Sequence, residues 1–152
     1  MRPVWDCDAE LFFRLTHNIC NLYGIPALFG HLDSTTFSLH GVYNSEEDGS
    51  EISEGVTHIT KGHSKDNAPE LNQVVLQLLC THKSGIPLWI EALSGNTSDK
   101  KSFTRTVKEF QKQFDRERMP YMVMNSAFYT RENLTSSSDF KWVTRVPETV
   151  QW

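Results

Sequence analysis

The stretch PYMVMNSAFYT, residues 120–130, decides how this chain folds. Its apolar run, Tyr121-Met122-Val123-Met124, reads as a buried strand. The run stops on one polar residue, Asn125, and small residues and a helix start follow. In α/β proteins the carboxyl end of such a strand is where ligands and chemistry collect. Asn125 is therefore a working residue, a plain turn former, or a stand-in for a carboxylate.

Upstream lies the clearest helical pattern in the chain. Phe103, Val107, Phe110 and Phe114 repeat at spacings of four, three and four, and Ser98 or Asp99 is placed to cap the start. Before it, NQVVLQLLC and IPLWIEAL read as strands joined by the short hairpin loop THKSG, which ends in Gly85. The near-continuous apolar run of the first suggests burial on both faces. Further upstream, FGHLDSTTFSLHG and VTHITKG also read as strands. The acidic segment 44–55 between them reads as a solvated loop, without the spacing of a calcium loop. The chain opens on a helix whose Leu11, Phe12, Leu15, Ile19 and Leu22 share one face. Asp6 or Asp8 caps it, and Gly24 and Pro26 end it. After Asn125 come a short helix near TRENLTS and a strand KWVTRVP that stops at Pro147. A helix between two strands normally crosses to a parallel neighbour. The pattern predicts an α/β fold with a mixed sheet and helices packed against it.

The 152 residues suit one domain, and a chain of this size hides roughly two-thirds of its unfolded surface. Fifteen basic and nineteen acidic residues leave a net charge of −4. That argues against a whole-surface affinity for nucleic acid but leaves room for a local basic strip. The three cysteines, Cys7, Cys20 and Cys80, lie in apolar contexts without paired spacing. They read as reduced thiols of a cytoplasmic protein. The longest apolar run is far too short to span a membrane, and the N-terminus lacks an apolar signal core. The sequons at Asn96 and Asn133 then read as chance matches.

Among candidate chemical groups, His31 and Asp33 are two apart on one strand, so their side chains share a face. An aspartate within an apolar strand is costly unless it is paired or binds a metal. The plain alternative is a carboxylate bonded to nearby hydroxyls such as Ser34 or Thr35. Lys101, Arg105, Lys108 and Lys112 form a second stripe on the long helix, on the side away from its apolar residues. The stripe is a solvated face or a contact for phosphates. Of the six histidines, His31 with Asp33 and either His58 or His63 would make a two-histidine, one-carboxylate iron site, and so a His/Asp metal enzyme.

GHLDSTTFSLHG, ITKGHSKDNAPELNQVVLQLL, GIPLWIEALSGNTSDKKSF and MPYMVMNSAFYTRENL together resemble the catalytic region of DDE transposases from bacterial insertion sequences. The closest branch carries a Tyr-Arg-Glu-Lys signature around its third acid. The resemblance implies a ribonuclease H-like fold: three antiparallel strands, a crossover helix, then further strands parallel to the first. It makes HLDSTTF the first strand and sets YMVM beside it. It also implies boundaries, with 1–26 as the end of an N-terminal helical region and 27–152 as a partial catalytic domain, incomplete at its C-terminus.

By the same resemblance, three carboxylates hold two Mg²⁺ ions. One ion activates the attacking water or 3′-hydroxyl, and the other stabilises the leaving oxygen. Asp33 matches the first acid. Asn125 stands where the second is expected, and the third falls beyond the residues present. An Asn oxygen brings no negative charge, and its amide nitrogen points a donor at a site built for cations. The expectation is a transposase fragment, inactive by itself, whose partner is DNA at insertion-sequence ends and target sites. A non-catalytic remnant that self-associates, pairs with full-length transposase or coats DNA through the Lys101 stripe is the alternative. The last strand is expected at a sheet edge, with marginal stability or sticky association as the consequence.

Overall fold

The computed structural model describes residues 8–41, 43, 57–62, 68, 70–113 and 119–149, with side chains at all of these but 8, 9 and 99–101. Five strands form one sheet: β1 (Phe29–Leu39), β2 (Asn72–Thr81), β3 (Pro87–Ser94), β4 (Tyr121–Met124) and β5 (Trp142–Thr144). Their spatial order is β3-β2-β1-β4-β5. The first three pair antiparallel, while β4 lies parallel to β1 and β5 parallel to β4. Helix α1 (Asp8–Leu22) precedes the sheet, α2 (Asp99–Gln111) connects β3 to β4, and α3 (Arg131–Ser136) connects β4 to β5. This is the mixed sheet expected from the pattern, in the strand order of a ribonuclease H-like fold, with YMVM beside the first strand.

The pleat explains which side of the sheet is covered. In β1, Leu32, Ser34 and Thr36 are buried while His31, Asp33, Thr35 and Phe37 are exposed. The inward set joins Leu79, Met122 and Met124 against Phe103, Val107 and Phe110 of α2 and Phe13 and Cys20 of α1. Phe110 is met edge-on by both Phe13 and Trp89. Gly30 sits in this layer, where a Cβ would come within 3.0 Å of Leu79 Cδ1. The phenylalanine stripe of α2 is confirmed at Phe103, Val107 and Phe110, each with no exposed surface. Phe114 lies outside the described residues. Ser98 occupies the N-cap position of α2 without a side-chain cap bond.

Three expectations need correction. The inward side of α1 is Phe13, Thr16 and Cys20; Leu11, Leu15 and Leu22 point to solvent, with Leu22 77% exposed. The two sets lie about 150° apart around the helix, with Phe12 and Ile19 half-buried between them, and the contact of Phe13 with Phe110 sets which side turns inward. Strand β2 alternates between buried and half-buried residues instead of being enclosed on both faces, because the described helices pack on one side only. VTHITKG is no full strand: within 57–62 only Thr60 bridges, to Gln73. There the chain passes tightly by Gly95, whose N–H donates to His58 O at 3.1 Å. A Cβ on Gly95 would strike the carbonyls of Gln73 and Thr60. The acidic segment 44–55, Cys7 and His63 lie outside the described residues. Among the described residues the last strand, β5, lies at a sheet edge.

Candidate functional site

Parallel pairing of Leu32 with Met124 puts the next two residues, Asp33 and Asn125, side by side where β4 ends. Both are exposed. Asn125 Nδ2 donates to Asp33 Oδ1 at 3.3 Å, and the backbone N–H of Ser34 donates to the same oxygen at 2.8 Å. The partner of Asp33 is thus a backbone N–H and an amide, not the neighbouring hydroxyls. Exposure removes the burial cost that an aspartate inside a strand would otherwise carry.

The Asn125 amide has a defined orientation. Its Oδ1 accepts from Ala127 N at 2.8 Å and caps the 3₁₀ turn Ser126–Phe128. That leaves Nδ2 facing Asp33. The Asn125 carbonyl accepts from Thr144 Oγ1 at 2.7 Å, which ties the strand end to β5. Asn125 is therefore a turn former and the immediate neighbour of Asp33 at once. Asn133 of α3 holds the next segment: its Nδ2 donates to Phe128 O and its Oδ1 accepts from Thr104 Oγ1 of α2. Asn133 is only 4% exposed, so it is a structural residue and no accessible sequon. Neither Thr144 nor Asn133 carries a sequence signal of this role beyond its polar character.

The described side chains around Asp33 do not by themselves suit a pair of hard divalent ions. Mg²⁺ asks for charged oxygens in near-octahedral array. Among the described residues one carboxylate is present here, and the Asn125 amide donor faces it. Among the described residues no three His, Cys, Asp or Glu side chains group to hold a metal, so His31, Asp33 and His58 do not assemble into an iron site. His31 has a different partner. Its Nε2 lies 2.9 Å from Nδ1 of His82, a residue that sequence reading left inside a hairpin loop. Register makes the pairing legible afterwards: His31 opposes Cys80, and His82 follows two residues later on the same face.

The basic stripe of α2 does face away from the core, with Arg105, Lys108 and Lys112 exposed; the side chain of Lys101 lies outside the described set. Arg105 Nη1 binds Glu91 Oε1 at 2.7 Å and Lys112 Nζ binds Glu109 at 2.7 Å. Arg105 and Lys108 also line an open groove of about 530 Å³ between α2 and α3, together with Glu109, Glu132, Asn133 and Ser136. Cations and carboxylates alternate there, so the local field is mixed. Burial pushes the thiols of Cys20 and Cys80 above their usual range, keeping them protonated at neutral pH. Among the described residues no helix is long and apolar enough to cross a membrane.

Strand order and pairing define an α/β domain with a ribonuclease H-like sheet. No family model matches the chain, and no curated protein matches it in sequence. Two solved structures overlap it loosely. One is a Mos1 transposase paired-end complex with the left transposon end, at 9% identity and a TM-score of 0.45, over 88% of this chain and 39% of that one. The other is the Mos1 strand transfer complex, at 10% identity and 0.44, over 90% and 40%. The chain thus spans about two-fifths of each of these proteins. The overlaps are too loose to add to the fold, which stands on its own strand order.

Proposed function

We propose that this chain is a catalytic-region domain of the DDE transposase family, derived from machinery for DNA transposition, with its own two-metal site disabled. The observation that carries the reading is the contact between Asp33 and Asn125 on neighbouring parallel strands, at the carboxyl end of β4. A first acid on the central strand and a second on the strand beside it is what the family resemblance requires. In this chain the second position offers an amide. The remaining role is contact with DNA, through Lys101, Arg105, Lys108 and Lys112, or with a complete transposase.

Among the stripe's described side chains, ion pairing of Arg105 and Lys112 leaves Lys108 as the strongest candidate for a phosphate contact. Binding to duplex DNA measured across a salt series tests this reading. Phosphate contacts give a negative log–log slope of about 0.9 per contact, and Lys108→Ala lowers it by about one contact. A flat slope sinks the DNA role. A strand-transfer assay of the same protein in Mg²⁺ is expected to show no product, and product formation overturns the disabled site.

A further inference from the structure

We propose that His31 and His82 form a chelating site for a borderline divalent transition ion, such as Ni²⁺ or Zn²⁺, on the open face of the sheet. His31 Nε2 and His82 Nδ1 are 2.9 Å apart, with ring planes at 18° and centroids 5.2 Å apart. Two neutral imidazoles at that distance share one proton, one nitrogen donating and the other accepting. The lone pairs that compete for this proton are the groups such ions bind. Two nitrogens in adjacent positions of a square-planar or octahedral ion, at bonds of about 2.0–2.1 Å, stand about 2.9 Å apart. The pair already holds that separation. A turn of each ring about Cβ–Cγ, a soft torsion, aims both lone pairs at one ion.

The backbone supplies the preorganisation. His31 sits within β1 opposite Cys80. His82 extends the same ladder past Thr81, its N–H donating to Phe29 O at 3.2 Å. The Phe29 ring meets the His82 ring at 5.8 Å, limiting its swing, and Gly85 at φ +60° closes the turn. Both histidines are exposed, so an ion reaches them without entering the core and water completes its shell. Asp33 lies on the same face about 7 Å further along β1 and adds negative charge. With no third ligand among the described residues, the site binds more weakly than a closed structural zinc site. Mg²⁺, which prefers oxygen, is not a ligand for it. The site stands independently of the transposase reading.

Calorimetric titration of the untagged full chain with Ni²⁺, Zn²⁺ and Mg²⁺, each alone, tests the proposal. Ni²⁺ and Zn²⁺ are expected to bind one ion per chain and Mg²⁺ to give no heat at this site. His31→Gln and His82→Gln, which keep polar side chains without an imidazole, should each weaken Ni²⁺ at least tenfold. His40→Gln should change nothing, and melting curves verify that all variants fold. Unchanged affinity in either pair variant overturns the site, as does an equal loss in His40→Gln.

Discussion

The two faces of the sheet treat their polar residues in opposite ways. On the helix-covered face Gln77 has no exposed surface, and both ends of its amide are used. Its Nε2 donates to Ser102 Oγ and its Oε1 faces Thr106 Oγ1. Thr106 Oγ1 is also 2.9 Å from Glu91 Oε2, and its single proton serves one acceptor at a time. Arg105 closes the chain of contacts from the rim. On the open face His31, Asp33 and His82 are exposed and Asn125 stands beside them at the end of β4, held by a few bonds and reachable from solvent. Burial turns polar groups into structural pins that must be satisfied. Exposure leaves them available for chemistry at little cost in stability.

The largest expected effect tests the division directly. Phe103→Ala, at a side chain with no exposed surface, should lower the unfolding free energy by about 3–5 kcal/mol. Phe37→Ala, on the open face at 51% exposure, should cost less than about 1 kcal/mol. Urea denaturation of the two variants measures both. Similar losses would mean that the open face is covered in solution. Next in size is Gln77→Leu, which removes both buried amide bonds, to Ser102 Oγ and from Thr106 Oγ1, and should cost about 1–3 kcal/mol. Asp33→Ala should stay within about 0.5 kcal/mol of the parent protein. A cost for Asp33→Ala as large as that of Gln77→Leu would give Asp33 a structural role that its exposure argues against.

A smaller effect concerns the thiols. Burial raises the Cys20 pKa above its ordinary value of 9.0. Above that pH the unfolded chain has released the proton while the native chain still holds it. The unfolded state then binds fewer protons, so stability falls as pH rises. Melting temperatures followed from about pH 8 to 10 should decline, and Cys20→Ala should flatten the decline. An identical slope in that variant assigns the decline to other groups.

Much of this was legible in the residues. The phenylalanine spacing of α2, the strand ending at Asn125 and the hairpin at Gly85 follow from local periods and turn chemistry. The side-by-side placement of Asp33 and Asn125 followed once β1 and β4 were set as neighbours. Other features are decided only by tertiary contact. Leu11 and Leu15 share the spacing of a core stripe, yet Phe13 and Cys20 win because they face Phe110 and the sheet. The exposure of Asp33 depends on which face the described helices cover, which an alternating strand cannot state. His82 needed the exact strand register, since a slip by one residue sends its ring to the other side.

A small energetic effect sharpens the functional side of the comparison most. Asn125→Asp keeps the shape and the cap, because an aspartate oxygen still accepts from Ala127 N. It replaces the amide donor facing Asp33 with a second carboxylate oxygen at about the same 3.3 Å separation. Without a divalent ion, the lost hydrogen bond and the like-charge contact should together cost about 0.5–1 kcal/mol, since water screens both groups. With Mg²⁺ or Mn²⁺ the sign should reverse. An ion bound only by the native state stabilises by RT ln(1 + [L]/Kd), so the melting temperature should climb with ion concentration. Parent protein and the Asp33→Asn, Asn125→Asp double variant should show no such climb, each having one carboxylate. A parent protein that responds as strongly as Asn125→Asp would mean that the amide is no barrier to the ion. Silence in Asn125→Asp would mean that two strand-end carboxylates are too few, and that the missing charge must come from a third.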